Sequence, residues 1–256
     1  MIIKHSESMS NMETDKIYCT DAIMGMKKYI PDNSIDLMVT DPPYGLNYND
    51  GDLANKWESV FGGDVSREKP RPIMGDGEEE AMKVFEDMLI EANRVLKKGA
   101  NCCCCCCGGG PKPLFAKWVL LMDNIIGFKQ AVVWDKGGLG MGMHYRRSYE
   151  FMLIAQKKGS CSHRWNGGNS TSNVWRIPKI IPGEDQHPTI KPVELFQKAI
   201  SIHSNENDVV LDPFIGSGTT AVACKMLNRR FIGFDISQNY IDIARKRIAN
   251  IPQRLF

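Results

Sequence analysis

Short apolar runs along the chain alternate with longer segments in which apolar residues recur every three or four positions. The short runs predict buried strands, and the periodic segments predict amphipathic helices. The predicted strands span residues 34–41, 130–136, 149–156, 208–214 and 230–236. The predicted helices span residues 78–98, 113–126, 191–203, 219–228 and 238–250. Strands that alternate with helices in this way predict an α/β fold with a parallel, doubly wound sheet.

A run of six cysteines lies where this alternation predicts another strand, after the helix over residues 78–98. That helix starts with acidic residues and ends with two lysines and Gly99, which is expected to stop it. Cysteine is a small apolar side chain that is often buried. Because neighbouring side chains of a strand point to opposite faces, we expect residues 102–107 to form a buried strand. A metal or redox role and a non-native run are the alternatives, and glycines 108–110 are expected to form the loop after the strand.

Two long stretches interrupt the alternation of strands and helices. Residues 45–77 are rich in Gly, Asp, Pro and Asn, and a loop of that length in a compact domain is usually functional or mobile. We expect this loop to be mobile and partly disordered without substrate. Residues 157–186 are polar and irregular and contain two tryptophans, which makes them a second candidate for a functional segment.

Length and composition are those of a soluble globular protein. The chain has 256 residues, of which 43% are hydrophobic and 24% charged, which is enough for one domain with a buried core. No apolar run approaches the ~20 residues of a membrane span, and the polar N-terminus lacks a secretory signal. We therefore expect no membrane partner and a cytoplasmic location, where thiols stay reduced. A net charge of +2 does not by itself indicate a nucleic-acid partner.

The segment DPFIGSGTT, residues 212–220, lies between a predicted strand and a predicted helix. Gly216 and Gly218 allow a tight turn and a close approach of the backbone to a ligand. Asp235 ends the next strand, about 20 residues further on, where nucleotide-binding folds place a carboxylate for ribose hydroxyls. This order of features predicts a nucleoside-bearing cofactor.

The residues around the glycines favour one such cofactor. An alanine stands where a dinucleotide loop has its third glycine, and alanine is allowed there, so this position does not exclude a dinucleotide. However, Asp212 would repel a pyrophosphate, whereas it suits an ammonium group. S-adenosylmethionine (SAM) carries an ammonium and no phosphate, so the sequence favours SAM.

The segment TDPPYG, residues 40–45, directly follows a predicted strand. In α/β sheets, ligands bind at the carboxyl ends of the strands. The two prolines hold the backbone extended, so that Asp41 offers a carboxylate, Pro42 a backbone carbonyl and Tyr44 an aromatic face. This set suits an exocyclic amino group on a planar base. When the acceptors bind its N–H groups, the nitrogen lone pair becomes available to attack an electrophilic methyl, and Asp41 stabilises the positive charge that develops.

DPPY together with DPFIGSGTT resembles the amino-methyltransferases of nucleic acids. The order, with DPPY first and the glycine loop late, is similar to the β class of DNA methyltransferases, and the resemblance covers roughly residues 16–250. It implies a Rossmann-like, SAM-dependent methyltransferase sheet in circularly permuted order, with the catalytic motif N-terminal and the SAM loop C-terminal. We expect a single domain over residues 1–256, with a target-recognition insert at 157–186.

The resemblance also implies roles for individual residues. The catalytic positions are Asp41, Pro42, Pro43 and Tyr44. The cofactor-binding positions are Asp21, His187, Lys191, Asp212, Phe214, Gly216, Ser217, Gly218, Thr219 and Asp235. Among these, Asp21 is expected beside the adenine of SAM, and Lys191 is expected to pair with the carboxylate of its methionine end. An ordinary turn residue is the alternative for Asp21, and a capping residue is the alternative for His187.

Double-stranded DNA is the partner that the resemblance implies. Chemistry on a base requires that the base be flipped out of the duplex, and Lys and Arg contacts to phosphates offset the cost. We expect the loop 45–77 to close over the flipped base or the DNA. The candidate DNA-binding residues are Lys136, His144, Arg146, Arg147, Trp165, Asn166, Trp175 and Arg176. Arg147 and Glu150 are expected near the end of a loop between two strands. Local packing is the alternative for each tryptophan.

Several functions share this chemistry. In the family that the sequence resembles, an aspartate at the start of the motif favours N6 of adenine, and N4 of cytosine or a base in RNA are the alternatives. Methylation at carbon 5 of cytosine usually needs a Pro-Cys motif, and no Cys follows a Pro here. A binding module without catalysis and a nicotinamide oxidoreductase are alternatives from other classes. No nuclease motif is evident, so we expect a stand-alone prokaryotic or phage modification enzyme, dimeric by analogy with its class.

Overall fold

The computed structural model describes residues 12–44, 78–106, 114–139, 145–159, 164–180 and 191–251. Its strands are β1 (Lys16–Cys19), β2 (Ile35–Thr40), β3 (Leu96–Cys106), β4 (Phe128–Asp135), β5 (Tyr149–Gln156), β6 (Val174–Arg176), β7 (Val209–Asp212) and β8 (Arg230–Asp235). Its helices are α1 (Ala22–Tyr29), α2 (Glu78–Val95), α3 (Phe115–Ile125), α4 (Val193–His203), α5 (Thr219–Met226) and α6 (Gln238–Ala249). The predicted loop 45–77, Cys107 and the glycines 108–110 lie outside the described residues.

All these strands belong to one sheet, in the order β1-β8-β7-β2-β3-β5-β4-β6. The first five strands in this order (β1, β8, β7, β2 and β3) are parallel to one another, whereas β5 is antiparallel to both β3 and β4. The predicted α/β fold of Rossmann type is confirmed, but the sheet is mixed rather than all parallel. The described residues between β4 and β5 contain no helix, and antiparallel neighbours need no crossover helix.

The permuted order brings the two sequence motifs together at the centre of the sheet. β2, which precedes TDPPYG, pairs in parallel with β7, which precedes the glycine loop. β7 in turn pairs with β8, which ends at Asp235. The carboxyl ends of these three strands therefore lie at one edge of the sheet, which we call the carboxyl edge.

Helices cover both faces of the sheet. Apolar residues of α1, α2 and α3 form one core cluster with one face, and apolar residues of α4, α5 and α6 form a second cluster with the other. None of the helices in the described part of the chain is long and apolar enough to cross a membrane.

The cysteine run forms the buried C-terminal part of β3, as predicted for residues 102–106. Cys102, Cys104 and Cys106 contribute to the cluster below α1–α3, and Cys103 and Cys105 contribute to the cluster below α4–α6. Burial raises the pKa of Cys103 and Cys105 well above the ordinary value. Within the described ranges, no group of three or more His, Cys, Asp or Glu residues could hold a metal ion. These thiols are packing residues.

The predicted end of the helix before the cysteines is wrong. α2 ends at Val95, and β3 begins at Leu96. Gly99 has φ +81° and lies at a bulge, where the pairing of β3 with β2 moves from Leu96 to Asn101. Leu96 is fully buried, and the ammonium of Lys97 binds the carboxylate of the buried Asp36 at 2.7 Å. These tertiary contacts outweigh the local helix-stop signal.

Candidate active site

A hydrogen bond joins the two sequence motifs at the carboxyl edge. The Thr40 hydroxyl donates to Oδ1 of Asp212 at 2.7 Å, and both residues are buried. The Thr220 hydroxyl donates to the second carboxylate oxygen, and the Phe214 N–H donates to Oδ1 at 3.1 Å. Burial raises the pKa of Asp212 to about 7, although these three hydrogen bonds oppose the rise. A carboxylate accepts about four hydrogen bonds, so Asp212 retains capacity for a cationic ligand.

The glycine loop turns through left-handed backbone. Gly216 has φ +49° and Gly218 has φ +85°, a region that glycine enters without steric cost. A Cβ on Gly218 would lie 2.6 Å from the Cβ of Ala244, whereas a Cβ on Gly216 would meet nothing within 4 Å. The loop is therefore packed against α6 at Gly218 and open at Gly216, where a ligand can approach the backbone.

Asp235 faces this open part of the loop from the end of β8. Its Oδ2 accepts the Gly216 N–H at 3.1 Å, and its Oδ1 accepts the Ser237 N–H at 2.7 Å. Burial raises its pKa, and the two N–H donors oppose that rise. This position suits a carboxylate that binds the hydroxyls of a nucleoside, and that role stays a prediction.

Arg247 supports the loop from α6, and the sequence prediction missed it. Its Nη1 donates to the carbonyl of Ser217 at 2.7 Å, to the Ser217 hydroxyl at 2.9 Å and to the Thr219 hydroxyl at 3.3 Å. Burial lowers the pKa of this guanidinium. In the sequence Arg247 belongs to a basic run, but it lies one helical turn after Ala244, which indicates that both face the loop.

Asp21 lies near Asp235, because β1 pairs with β8 and Cys19 is opposite Asp235. Its Oδ1 accepts the Met24 N–H at 2.9 Å, so the side chain caps the N-terminus of α1. This contact explains why the chain turns here. Its predicted position beside the adenine of SAM stays a prediction. His187 lies outside the described residues.

The catalytic motif is built around the Asp41 carboxylate. The Tyr44 hydroxyl donates to Oδ1 of Asp41, and the Lys191 ammonium donates to Oδ2 at 2.8 Å. The same ammonium lies 3.1 Å from the Tyr44 hydroxyl oxygen. Burial raises the pKa of Asp41, Lys191 opposes the rise, and Glu150 adds to it. Pro42 is buried and Pro43 half-buried, so the motif is held rigidly at the sheet.

Tyr44 lies at the end of a column of stacked aromatic rings. Its ring centroid is 5.9 Å from that of Trp118, and Trp118 stacks on Phe85 with 3.9 Å between centroids. Trp118 and Phe85 belong to α3 and α2 and are fully buried. Both residues lie in predicted helices, but the helix pattern did not indicate that they stack next to Tyr44.

Three predicted DNA contacts, Arg146, Arg147 and Arg176, lie near the carboxyl edge or in its loops. Arg146 is exposed and Arg147 is half-buried, just before β5, whose first residue pairs with the last residue of β4. The Arg176 side chain is 86% exposed, and its Nε lies 3.5 Å from the Asp135 carboxylate. His144 lies outside the described residues. These positions are compatible with contacts to phosphates, which stay predictions.

Lys136 differs from that expectation. Its ammonium binds Oε1 of Glu150 at 3.0 Å, and its side chain is only 14% exposed. A buried, paired ammonium is not available to a phosphate in this arrangement. Glu150 also faces Lys191, which binds Asp41. Lys136 is therefore linked to the catalytic motif by ion pairs and does not extend from the surface.

The two tryptophans of the predicted recognition insert differ in exposure: Trp175 is buried and packs in the core, which corrects its expected base contact, whereas Trp165 is 46% exposed and its base contact stays a prediction. Trp175 is 2% exposed in β6, and its indole N–H donates to the Ser172 carbonyl at 3.0 Å. Trp165 contacts His203 edge to face at the C-terminal end of α4. The Asn166 amide also caps this end, because it donates to the carbonyl of Ser204 at 2.8 Å. The end of α4 lies at the opposite edge of the sheet from Asp41, since α4 starts just after Lys191.

These features define a class of protein: a Rossmann-like enzyme fold in which an acidic motif and a glycine loop meet at the carboxyl edge of the sheet. Comparison with known proteins gives the same class. The family model described as DNA methylase (N6_N4_Mtase) matches residues 35–246. Because this match spans most of the chain, the protein belongs to that DNA methylase family.

Individual relatives match over most of their length. The type II methyltransferase M.HpaI of Haemophilus parainfluenzae is 28% identical over 91% of this chain and 74% of its own. The DNA adenine methyltransferase YhdJ of Escherichia coli strain K12 is 28% identical over 92% of this chain and 83% of its own. The crystal structure of TTHA0409 from Thermus thermophilus has a TM-score of 0.66 at 21% identity and covers 94% of this chain and 97% of that one. At that identity the likeness shows the fold alone.

Proposed function

We propose that this protein transfers a methyl group from SAM to the N6 amino group of adenine in DNA. The observation that carries the proposal is the hydrogen bond from Thr40 to Asp212 at 2.7 Å. It joins the segment that ends in the Asp41–Tyr44 acceptor set to the segment that begins the glycine loop. A methyl donor and an amino acceptor bound at these two segments are neighbours.

The related proteins support both the donor and the base. YhdJ, which matches this chain over most of both lengths, is named a DNA adenine methyltransferase. TTHA0409, which has the same fold, has also been crystallised with SAM. The aspartate at the start of the motif supports adenine rather than cytosine as the target.

The residues of the glycine loop fit SAM. The carboxylate of Asp212 suits the ammonium of its methionine end, the open backbone at Gly216 admits a nucleoside, and Asp235 faces that space. When bound, SAM supplies an electrophilic methyl group. No phosphate has to be accommodated, which agrees with a buried carboxylate at the start of the loop.

The chain's own contribution to the reaction is made by the acceptor motif. Asp41 accepts an N–H of the target amine in place of the Tyr44 hydroxyl, and the Pro42 carbonyl is the second acceptor. As the nitrogen gains a bond to the methyl carbon, the bond from that carbon to the sulfur of the donor breaks, and the sulfur leaves with the electron pair as a neutral thioether. The nitrogen becomes positively charged, Asp41 stabilises that charge, and the methylated amine then loses one proton. The Tyr44 ring, supported by Trp118, supplies the surface on which the base stacks.

The wider setting follows from the same chemistry. The target base is flipped out of a DNA duplex, and Arg146, Arg147 and Arg176 are the candidate phosphate contacts. A type II modification role, a cytoplasmic location in a prokaryote or phage, and pairing of two copies are parts of the proposal. The loop 45–77 is the candidate lid over the flipped base.

One experiment tests the substrate, the base and the site together. Unmethylated bacterial DNA is incubated with the protein and SAM, and the modified bases are then mapped by methylome sequencing. We expect N6-methyladenine in one sequence context. Detection of N4-methylcytosine would show that the target base is cytosine. Transfer to RNA alone would show that the substrate is RNA rather than DNA. No transfer to DNA or RNA would overturn the proposed function.

The variant Asp41→Ala tests the assignment of the catalytic carboxylate. We expect transfer to fall by at least about 1000-fold, since both an amine acceptor and the charge that stabilises the transition state are lost. SAM binding, measured by calorimetry, is expected to change little, because Asp41 does not belong to the glycine loop. Substantial residual turnover would remove Asp41 from the reaction.

A further inference from the structure

Lys191 is a buried cation in the catalytic motif, and the sequence prediction assigned it elsewhere. It lies just before α4, and only 9% of its side chain is exposed. Its expected partner was the carboxylate of the methionine end of SAM. In the structure its ammonium instead contacts residues of the acceptor motif.

The Lys191 ammonium lies among three oxygen atoms from different parts of the chain. They are Oδ2 of Asp41 at 2.8 Å, the hydroxyl oxygen of Tyr44 at 3.1 Å and Oε2 of Glu150 at 3.8 Å. An ammonium has three N–H donors, so it can face all three. Glu150 lies near the start of β5, and its other oxygen binds Lys136 at 3.0 Å. The catalytic motif is thus tied to β4 and β5 by a chain of ion pairs.

The two oxygens of Asp41 are held differently. Oδ2 binds Lys191, which belongs to the buried frame, whereas Oδ1 binds the hydroxyl of Tyr44. Oδ1 is therefore the oxygen that can exchange its partner for a substrate amine without breaking an ion pair.

Two opposite demands act on Asp41. Burial favours its neutral form, but only an ionised carboxylate both accepts the N–H of an amine and stabilises a positive charge. A nearby ammonium favours the ionised form. Glu150 faces both Lys191 and Lys136, so two carboxylates and two ammoniums lie together, and Lys191 at 2.8 Å is the cation that favours the ionised form of Asp41.

We propose that Lys191 is a positioning residue for the proposed methyl transfer, which holds Asp41 by Oδ2 so that Oδ1 accepts the target amine. The inference rests on the proposed function and adds a residue to it. Lys191 acts through Asp41 and Tyr44, and it does not bind the carboxylate of SAM. Glu150 and Lys136 hold the ammonium in this place.

The variant Lys191→Met tests this role against the role in cofactor binding. We expect kcat to fall by about 10- to 100-fold, the effect of losing one hydrogen bond between charged groups. The Kd of SAM, measured by calorimetry without DNA, is expected to stay within about 2-fold. The variant Lys191→Arg keeps a cation and is expected to recover part of the rate. Lys198→Met is the control. It removes another lysine of α4, one that lies over the Trp175 ring, and it is expected to change neither kcat nor the Kd of SAM.

A pH profile gives a readout that a merely structural role would not move. Asp41 is faced by Lys191 and Tyr44, by Glu150 of β5, by Cys105 of β3 and by Asp212 of β7. Among these, Lys191 is the group that lowers the pKa of Asp41. Its removal is therefore expected to move the acid limb of the rate profile to higher pH, since Asp41 must be ionised to act.

Carboxyl NMR keeps the test independent of activity. In protein labelled at aspartate carboxyls, with the Asp41 signal assigned from Asp41→Asn, the Asp41 pKa is expected to be higher in Lys191→Met than in the wild type. If Lys191→Met does not fold, Lys191→Gln takes its place. An unchanged Asp41 pKa, or an unchanged kcat with SAM affinity weakened by more than about 10-fold, would overturn the inference. Failure of the wild type to methylate any nucleic acid would overturn the proposed function alone, because the NMR comparison still decides the role of Lys191.

Discussion

Single residues shape the loop that is proposed to bind SAM, and the two glycines do so for different reasons. Gly218 needs both its left-handed backbone and its lack of a side chain, because α6 approaches it closely. Gly216 needs only the backbone conformation, because the space above it is open. The sequence pattern GSG cannot separate these two roles, since the contact of Gly218 with Ala244 exists only in the folded chain.

The difference between the two glycines predicts unequal effects of alanine. Gly218→Ala is expected to lower the free energy of unfolding by about 2–4 kcal/mol, since a strained φ angle adds to a clash with Ala244. Gly216→Ala is expected to cost only about 1–2 kcal/mol, the cost of the φ angle alone. Urea denaturation of both variants measures the difference. Equal costs, or no partial recovery when Gly218→Ala is combined with Ala244→Gly, would contradict this account.

At the scale of elements, β3 shows how tertiary packing decides an ambiguous pattern. The alternation of strands and helices along the chain predicted a strand at the cysteines, and the alternation of thiols between the two faces is confirmed for residues 102–106. The boundary with α2 was wrong because Leu96 packs in the core and Lys97 pairs with Asp36. β1, α1 and β6 were not predicted at all. β6 has only three residues, and it is fixed by its pairing with β4.

If the cysteines of β3 are packing residues, replacing one of them with a polar residue lowers the free energy of unfolding, whereas the same change at an exposed cysteine does not. Cys104 is fully buried, so Cys104→Ser is expected to lower the free energy of unfolding by about 1–3 kcal/mol, since it buries a hydroxyl without a strong partner. Cys19 is exposed at the end of β1, so Cys19→Ser is expected to stay within about 0.5 kcal/mol of the wild type. Chemical denaturation with a reductant present measures both. A harmless Cys104→Ser would indicate that β3 is not tightly packed.

At the scale of the whole molecule, the permuted topology was predictable and the buried ion pairs were not. The order of DPPY and the glycine loop indicated which strands would be neighbours, and the pairing of β2 with β7 confirms it. The contacts of Lys191 with Asp41 and of Lys136 with Glu150 were not predicted, because both lysines lie in loops where no period indicates which partner a side chain will meet. Trp165 and Trp175 were ambiguous for the same reason, since an irregular polar segment does not indicate that one ring stays exposed and the other is buried.

The buried Asp212 couples the stability of the fold to pH and to the cofactor. Its pKa is raised from the ordinary 3.8 to about 7, so the folded state binds a proton more tightly than the unfolded state. Asp212 therefore contributes stability that is fully present below about pH 4 and is lost as the pH rises through about 7. Above that pH the ligand-free protein carries a buried carboxylate whose charge is compensated by hydrogen bonds alone. A bound ammonium would compensate it directly.

The variant Asp212→Asn is expected to remove this pH dependence. An amide is neutral and can still bind Thr40, Thr220 and Phe214, so the variant should become more stable relative to the wild type as the pH rises from 4 to 7, by roughly 1.4 kcal/mol per pH unit, and then by a constant amount. Its affinity for SAM should be weaker than that of the wild type at pH 8, because the ammonium loses its carboxylate. Denaturant titrations across this pH range and calorimetry with SAM measure the two effects. A stability difference that does not change with pH would show that Asp212 is ionised throughout, and unchanged SAM affinity would show that the ammonium binds elsewhere.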